Sequence, residues 1–187
     1  MTSFDAPAPP PPDDKDWTWV LERVCGECGF DVRSFPREQV GPMIRDNAVE
    51  WRAILDDDPD RLRRRPDETT WSALEYACHV RDVLRLYDER LALMLAEDGP
   101  RYPNWDQDET AVEARYDLAE PSQVATELAR AAERMATRFD DVSSDGWDRT
   151  GFRGDGASFT VETFARYLIH DPVHHVHDVE AGFTRLG

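Results

Sequence analysis

The sequence predicts an all-α protein, and the architecture that it favours is a four-helix bundle. Four long segments place apolar residues at helical spacing, and no segment has a convincing strand-type alternation. Connectors rich in proline, glycine and aspartate separate these segments. A chain of 187 residues is long enough for one domain with a sizeable core. Because each amphipathic helix must bury its apolar face, four such helices in one domain indicate a bundle.

The N-terminal part of the chain lacks this helical pattern and is expected to be an irregular extension of the bundle. Residues 1–16 are acidic and rich in proline, which predicts a disordered tail, because proline disrupts helices and few apolar side chains are present. Residues 17–35 are aromatic and irregular, and Trp17 and Trp19 are expected to hold this segment against the domain. The bundle itself is predicted to span residues 36–187.

Cys25 and Cys28 form a CxxC motif within the irregular segment, while Cys78 stands apart. Three cysteines do not suggest a disulfide framework. The sequence CGECG resembles half of a zinc knuckle, but a complete structural zinc site needs four ligands and the chain has no second CxxC. Three interpretations stay open: two reduced cysteines without a role, a metal site completed by histidine, and a redox pair.

The first two bundle helices are bounded by capping and helix-breaking residues. The first is predicted to start after Ser34, a residue type that caps helices, and to end at the acidic run 56–58. The second is predicted to start near Thr69 or Thr70 and to extend to about Glu97, with a broad apolar stripe along its length.

The last two helices flank a glycine-rich loop. The third helix is predicted to follow Pro121 and Ser122. Residues 143–158 carry four glycines and no helical period, which indicates a loop with a small hairpin around residues 154–156. Thr160 is then expected to cap the last helix.

Four of the five histidines lie in the last helix, and their spacing is typical of metal ligands. They are His170, His174, His175 and His177, and the fifth, His79, lies in the second helix. His170 and His174 are four residues apart and share a helix face, with His177 near it. Such a pair can chelate one ion, and a histidine from another helix can complete a three-nitrogen site. At about 100° per residue these three histidines lie nearly opposite the apolar side of the helix, so they face solvent or line a groove.

Two stretches together resemble the DinB-like (damage-inducible) superfamily. They are WSALEYACHVRDVL and, about 90 residues later, SFTVETFARYLIHDPVHHVHDV, and the likeness covers roughly residues 36–183. The resemblance implies a four-helix bundle with a metal site made by one histidine on the second helix and two, four apart, on the last. Carried over to this sequence, the metal ligands are His79, His170 and His174. His177 is additional to that triad and is the candidate for a general base, a fourth ligand or a residue that orients a ligand, while the role of His175 stays open.

A three-histidine site leaves coordination positions free for water or substrate, which is the layout of a catalytic metal site. Zinc is the first candidate among divalent ions, and nickel, iron and manganese also accept imidazole ligands. Ligand histidines usually donate their second ring nitrogen to a carboxylate or carbonyl. By spacing, the candidate carboxylates are Glu75, Asp82, Asp171 and Asp178.

The resemblance also implies a function. Some bundles of the superfamily are S-transferases or isomerases that use a low-molecular-weight thiol such as mycothiol or bacillithiol, so we expect a small-molecule substrate and a metal-activated thiolate. The loops at 57–70 and 99–120, with Arg61–Arg65, Arg101 and Trp105, are expected to hold cofactor or substrate. Two other classes stay open: a non-enzymatic metal-binding or stress-response protein, and a metal-dependent hydrolase.

Composition excludes several partners. The formal net charge of -17 argues against a nucleic acid partner, whose backbone requires lysine and arginine patches. No apolar run approaches the roughly 20 residues that cross a bilayer, and no signal peptide pattern is present, so we expect a cytoplasmic protein without a membrane partner. The use of arginine almost throughout, with Lys15 as the one lysine, is typical of a high-G+C bacterial genome. A homodimer is compatible with the fold class.

Overall fold

The computed structural model describes residues 16–187, so the predicted tail lies outside the described residues except for Asp16. The helices are α1 (Val40–Leu55), α2 (Pro59–Arg63), α3 (Ala73–Ala96), α4 (Gln107–Glu113), α5 (Pro121–Asp140) and α6 (Val161–Leu186), and the strands are β1 (Arg101–Tyr102), β2 (Thr150–Arg153) and β3 (Ser158–Thr160). The long helices α1, α3, α5 and α6 form the predicted bundle, which confirms the all-α class. Within residues 16–187 no helix is long and apolar enough to span a membrane.

The bundle buries one apolar face of each long helix. α5 packs against α1 and α3, and α6 packs against the same two helices. Trp51 of α1 is fully buried, and its indole Nε1 donates to the carbonyl oxygen of Pro172 at 3.3 Å. The largest fully buried side chains of the core include Trp51, Tyr116, Phe164, Leu62, Leu74, Leu91 and Met94.

The first long helix begins later than the sequence suggested. Ser34 is not its N-cap, because its hydroxyl donates to the carbonyl oxygen of Asp31 at 2.7 Å and so closes a turn in the preceding segment. A 3-10 turn at Arg37–Gln39 follows, and α1 begins at Val40. The predicted cap was therefore wrong, since a serine that satisfies a local turn is not available to cap the helix.

α3, which carries His79, also begins later than predicted. Ser72 is its N-cap, and neither Thr69 nor Thr70 has that role. The Ser72 hydroxyl accepts from the backbone amide of Glu75 at 3.3 Å, and the Glu75 carboxylate accepts from the amide of Ser72 at 2.8 Å. This reciprocal capping box satisfies two backbone donors that the helix itself leaves free.

Replacing Ser72 by alanine should lower the free energy of unfolding by about 1 kcal/mol, because the amide of Glu75 then loses its acceptor inside the fold. Urea denaturation followed by circular dichroism measures the change. Ser122→Ala is the matched control, since Ser122 lies exposed in the first turn of α5 and does not cap that helix. Equal losses in both variants would contradict the capping role.

A small sheet supports the connectors near α6. β2 and β3 form an antiparallel hairpin with Gly151 opposite Phe159, as the glycine-rich loop predicted. β1 pairs in parallel with β2, with Arg101 opposite Phe152. The sequence did not predict β1, because a strand of two residues is too short to show alternation. This sheet fixes the connector after α3 beside the start of α6.

The N-terminal segment at residues 17–35 packs against α6, as Trp17 and Trp19 suggested. Val20 and Cys25 are buried. The Arg166 guanidinium of α6 donates to the carbonyl oxygens of Val32 and Phe35. α6 is therefore covered on two sides, by the bundle and by this segment.

Candidate metal centre

A cavity of about 610 Å³ lies between α3 and α6. The N-terminal segment and the connector after β1 complete its walls. Its lining includes Trp17, Trp71, Tyr76, Arg90, Trp105 and Tyr167. The volume falls within the roughly 300–1,000 Å³ typical of small-molecule sites.

Three side chains on one wall form what we call the His-Asp-His group: His79 of α3, with Asp171 and His175 of α6. One ligand atom from each lies within 4.8 Å of the other two. His79 Nε2 lies 3.4 Å from Asp171 Oδ2, and His175 Nε2 lies 3.6 Å from Asp171 Oδ1. Two nitrogen or oxygen ligands of one tetrahedral ion, each at about 2.0–2.1 Å, are separated by roughly 3.3 Å. The group therefore has the spacing of ligands around a cation.

An unsatisfied buried atom also indicates that the His-Asp-His group fits a divalent metal ion. Among the described residues, Asp171 Oδ2 is buried without a hydrogen-bond partner. A buried carboxylate oxygen without a partner is costly, and a cation would satisfy it. Two imidazoles and one carboxylate are a donor set that zinc accepts in proteins.

Without a metal, the charges in the His-Asp-His group compensate one another. Burial alone would lower the pKa of His175, but the Asp171 and Asp178 carboxylates outweigh burial and raise that pKa to about 10. For Asp171, burial acts to raise the pKa, but His79 and His175 together hold it well below the usual value. A cation bound through His175 Nε2 would therefore compete with protonation of that imidazole.

Asp178 orients His175 for this role. Its Oδ2 lies 2.9 Å from His175 Nδ1 and leaves Nε2 facing the group. The ring of His79 packs against two indoles, with centroid distances of 5.3 Å to Trp71 and 5.5 Å to Trp105. A carboxylate behind one ligand and aromatic packing around another fix the ring orientations in advance.

Four further side chains form what we call the Cys-His group: Cys25 and Cys28 of the N-terminal segment, with His170 and His174 of α6. Their ligand atoms lie within 4.8 Å of one another. Cys25 Sγ is 3.7 Å from His174 Nδ1, and Cys28 Sγ is 3.8 Å from His170 Nε2. All three cysteines of the chain are free thiols.

The Cys-His group is largely buried, and its two histidines also line the cavity. Cys25, His170 and His174 are buried, and Trp17 packs on both imidazoles at centroid distances of 5.6 and 5.0 Å. Burial lowers the pKa of His170 to about 4, with a further contribution from His174, so its imidazole is neutral at pH 7. Burial likewise raises the pKa of Cys28 to about 11.

The structure divides the predicted triad between the two groups. His79 lies with Asp171 and His175, whereas His170 and His174 face the two cysteines. The physical reason is helix geometry, because neighbouring residues on α6 point about 100° apart and only one of the two i, i+4 pairs can face α3. His175 was not assigned a role from the sequence, although Asp171 and His175 have the same spacing as His170 and His174.

His177, the predicted catalytic candidate, lies outside both groups. Its side chain is exposed, and its ring centroid is 6.3 Å from that of His174. Within the described part of the chain, neither candidate metal group includes it.

The four carboxylates selected by spacing also separate. Asp171 belongs to the His-Asp-His group and Asp178 orients His175. Glu75 instead pairs with the Arg65 guanidinium at 2.5 Å and caps α3. Asp82 accepts from the Tyr116 hydroxyl at 2.6 Å and from Arg81. Glu75 and Asp82 therefore have structural partners away from the candidate ligands.

The arginines that reach the cavity differ from those expected. Among the described residues, the side chains of residues 61–65 and Arg101 do not line it, whereas Trp105 does. Arg61 pairs with Asp57 and covers Phe183. The cavity arginines are Arg90 of α3 and Arg153 of β2.

Arg90 is a buried cation that has no carboxylate partner among the described residues. Its side chain stacks near Tyr102, with the guanidinium carbon 4.8 Å from the ring centroid. Its Nη2 donates to the Pro103 carbonyl oxygen at 2.7 Å, but its buried Nε has no acceptor. Burial lowers the pKa of Arg90. Arg153, by contrast, pairs with Asp155 at 2.8 Å.

Fold and site together define a four-helix bundle that has, among its described residues, two groups of candidate metal ligands, each with two ligands from the last helix. The model of the DinB superfamily matches residues 43–179, and the chain belongs to that superfamily. This confirms the resemblance seen in the sequence. No curated protein has significant sequence similarity to the chain.

Solved structures share the fold at low sequence identity. YfiT from Bacillus subtilis, described as a probable metal-dependent hydrolase with an unusual four-helix bundle topology, matches with a TM-score of 0.74 and 16% identity over 81% of this chain and 87% of that one. The mycothiol-dependent maleylpyruvate isomerase matches with a TM-score of 0.64 and 13% identity over 79% of this chain and 62% of that one. The second match spans less than two thirds of the isomerase. At these identities the matches show a common fold.

Proposed function

We propose that the protein is a metal-dependent enzyme that transfers a low-molecular-weight thiol to an electrophilic substrate. The observation that carries the proposal is the place of the His-Asp-His group, whose ligand atoms lie on the wall of a 610 Å³ cavity. Catalytic metal sites have three protein ligands and an open position, whereas structural zinc sites are closed by four. In this proposal His79, Asp171 and His175 are the metal ligands.

The chain's own residues prepare the group for this chemistry. A divalent ion held there supplies Lewis-acid stabilisation of a thiolate or of bound water. Asp178 holds His175 with Nε2 towards the site, and Asp171 contributes a negative charge close to both imidazoles. Trp71, Trp105 and Tyr76 cover the group and limit the access of bulk water.

The size and lining of the cavity support a thiol cofactor. A volume of 610 Å³ accommodates a ligand much larger than water. Aromatic side chains on its wall, such as Trp17 and Tyr167, offer flat apolar surfaces, and polar groups lie between them. The common fold with a mycothiol-dependent isomerase is consistent with a thiol of that class.

Arg90 supports an anionic substrate. A buried guanidinium without a carboxylate partner is unfavourable unless an anion accompanies it. Because Arg90 lines the cavity and has no carboxylate partner among the described residues, a substrate carboxylate can supply the missing negative charge.

A metal-dependent hydrolase is the second candidate, because the same donor set is found in zinc hydrolases. Two histidines and one carboxylate also hold zinc in proteases that activate water. A hydrolase needs an ester or amide substrate and no thiol, so the two functions can be separated by the co-substrate on which activity depends.

The proposal is tested by incubating the zinc-reconstituted protein with mycothiol and either chloroacetate or chloroacetamide. The expected product is the S-alkylated thiol, detected by mass spectrometry, with one sulfur–carbon bond formed and one chloride released. Chloroacetate should be preferred, because its carboxylate can pair with Arg90. Nitrophenyl esters without thiol serve as the hydrolase probe.

Variants identify the site responsible. His79→Ala should abolish the transfer, His177→Ala should retain it, and Arg90→Met should remove the preference for chloroacetate over chloroacetamide. Ester hydrolysis without thiol that disappears in His79→Ala would favour the hydrolase. Metal binding without either reaction, across a wider panel of thiols and electrophiles, would overturn the enzymatic proposal and leave a metal-binding protein.

A further inference from the structure

We propose that the Cys-His group is a second metal site, a structural zinc site that fastens the N-terminal segment to α6. The site is distinct from the His-Asp-His group and does not depend on the function proposed above. Its ligands are Cys25, Cys28, His170 and His174. Two cysteines and two histidines are the ligand set of many closed, four-coordinate zinc sites.

The distances fit tetrahedral coordination. With Zn–S near 2.3 Å and Zn–N near 2.0–2.1 Å, a tetrahedral ion separates sulfur from nitrogen by roughly 3.6 Å. The two observed sulfur–nitrogen separations are 3.7 Å for Cys25 with His174 and 3.8 Å for Cys28 with His170. All four ligand atoms lie within 4.8 Å of one another, so a single ion can reach each of them.

The backbone around the cysteines forms the turn that a zinc knuckle requires. The amide of Gly29 donates to the carbonyl oxygen of Cys25 at 2.9 Å, and Gly29 has a φ of 75°, which favours glycine. The amide of Cys25 donates to the carbonyl oxygen of Phe30 at 3.0 Å, so the backbone folds back around Cys28.

The second nitrogen of His174 also has carboxylate partners. Nε2 lies 3.5 Å from Glu27 and 3.6 Å from Asp178, while Nδ1 faces Cys25. Ligand histidines commonly have this arrangement, in which an outer carboxylate fixes the ring and its tautomer. Glu27 lies between the two cysteines in sequence, so the CGECG turn supplies two ligands and one of these partners.

A redox CxxC explains fewer of these observations. A dithiol that cycles with a disulfide needs neither His170 nor His174 against its sulfur atoms. Both imidazoles are nevertheless buried there, although the apolar stripe of α6 lies elsewhere on the helix. Metal coordination accounts for all four side chains at once.

The site has a consequence for the cavity. His170 and Cys28 are 142 residues apart in sequence, so an ion between them joins the two ends of the described chain. The same segment carries Trp17 and Glu27, which line the cavity. The zinc site thus holds one cavity wall in place.

Metal analysis of the full, tag-free chain tests the site. After reconstitution with zinc and dialysis, inductively coupled plasma mass spectrometry should find one ion per chain fewer in Cys25→Ser/Cys28→Ser than in the wild type. His170→Ala should show the same loss. His177→Ala is the matched control, an exposed histidine on the same helix, and should lose none. Because the measurement is the difference in zinc content between variant and wild type, it does not depend on how fully the His-Asp-His group is occupied.

Cobalt substitution tests the ligands without a mutation. The wild-type protein loaded with Co²⁺ should show a thiolate-to-metal charge-transfer band and the intense visible bands of tetrahedral cobalt, and the double serine variant should lack the charge-transfer band. A wild-type spectrum without thiolate bands, unchanged zinc content in the double variant, or a Cys25–Cys28 disulfide in protein purified under reducing conditions would each overturn the proposal.

Discussion

Replacing Asp171 by asparagine should weaken metal binding at the His-Asp-His group by more than about 100-fold, the upper range for loss of an outer-shell partner. Asparagine keeps the shape of the side chain but removes the negative charge that faces His79 and His175. The amide also offers a cation a weaker oxygen ligand. A competition titration with a chromophoric chelator, fitted to two sites, measures the dissociation constant, and thiol transfer should be lost in parallel.

Two further variants should show smaller losses of metal affinity than Asp171→Asn. Asp178→Asn removes the partner of His175 Nδ1 and should weaken the His-Asp-His group by about 10–100-fold. Because Asp178 also lies 3.6 Å from His174 Nε2, the two-site fit reports its effect on the Cys-His group separately. His177→Ala should leave the affinity unchanged, because His177 is exposed and outside both groups. An Asp171→Asn variant that binds metal as tightly as the His177→Ala variant would remove Asp171 from the ligand set.

The fold was predictable because its signals are local. Helical periodicity and the breakers between helices were sufficient to give the bundle and the hairpin before α6. Helix starts were less predictable, because the hydroxyl of Ser34 closes a local turn and does not cap α1, and because Ser72, not Thr69 or Thr70, caps α3. β1 lacked any local signal, because it exists only through its pairing with β2.

The residue types of the candidate site were predictable from the sequence, but which residues of α6 lie beside His79 was not. The sequence indicated a site with ligands on α3 and α6, but α6 carries two i, i+4 pairs offset by one residue. A rotation of about 100° decides whether His170 or Asp171 faces α3, and periodicity does not fix the phase of a helix so closely. The resemblance selected histidines as ligands, and Asp171 was a candidate only for the carboxylate partner of a ligand histidine.

The N-terminal segment accounts for the burial of His170 and His174, which the sequence did not predict. His170 and His174 lie away from the apolar stripe of α6, which suggested either solvent or a groove. Both are buried because the segment with Trp17 and the two cysteines covers them. A contact across more than 140 residues leaves no periodic trace in the sequence, so the CxxC motif and the histidine pair were recognised separately and joined only by the fold.

Removing zinc from the Cys-His group should release residues 17–35 from α6 while the bundle remains folded. Zinc present at about 1,000 times its dissociation constant stabilises the attached state by roughly 4 kcal/mol. Where amide exchange follows the equilibrium population of the open state, loss of this stabilisation makes exchange roughly 1,000-fold faster. Hydrogen–deuterium exchange with and without a chelator measures it. The amides of residues 17–35 should lose protection, whereas those in the middle of α5 should not.

Two variants, one in each metal site, show which site holds the N-terminal segment. Asp171→Asn retains the Cys-His ligands, so its N-terminal segment should respond to chelator as the wild type does. Cys25→Ser/Cys28→Ser should exchange rapidly in this segment from the start and show no further response. If chelator instead leaves exchange in this segment unchanged in the wild type, and the double serine variant exchanges at the same rate, the segment is held by packing of Trp17, Val20 and Phe35 alone, and the ion has no part in building the cavity wall.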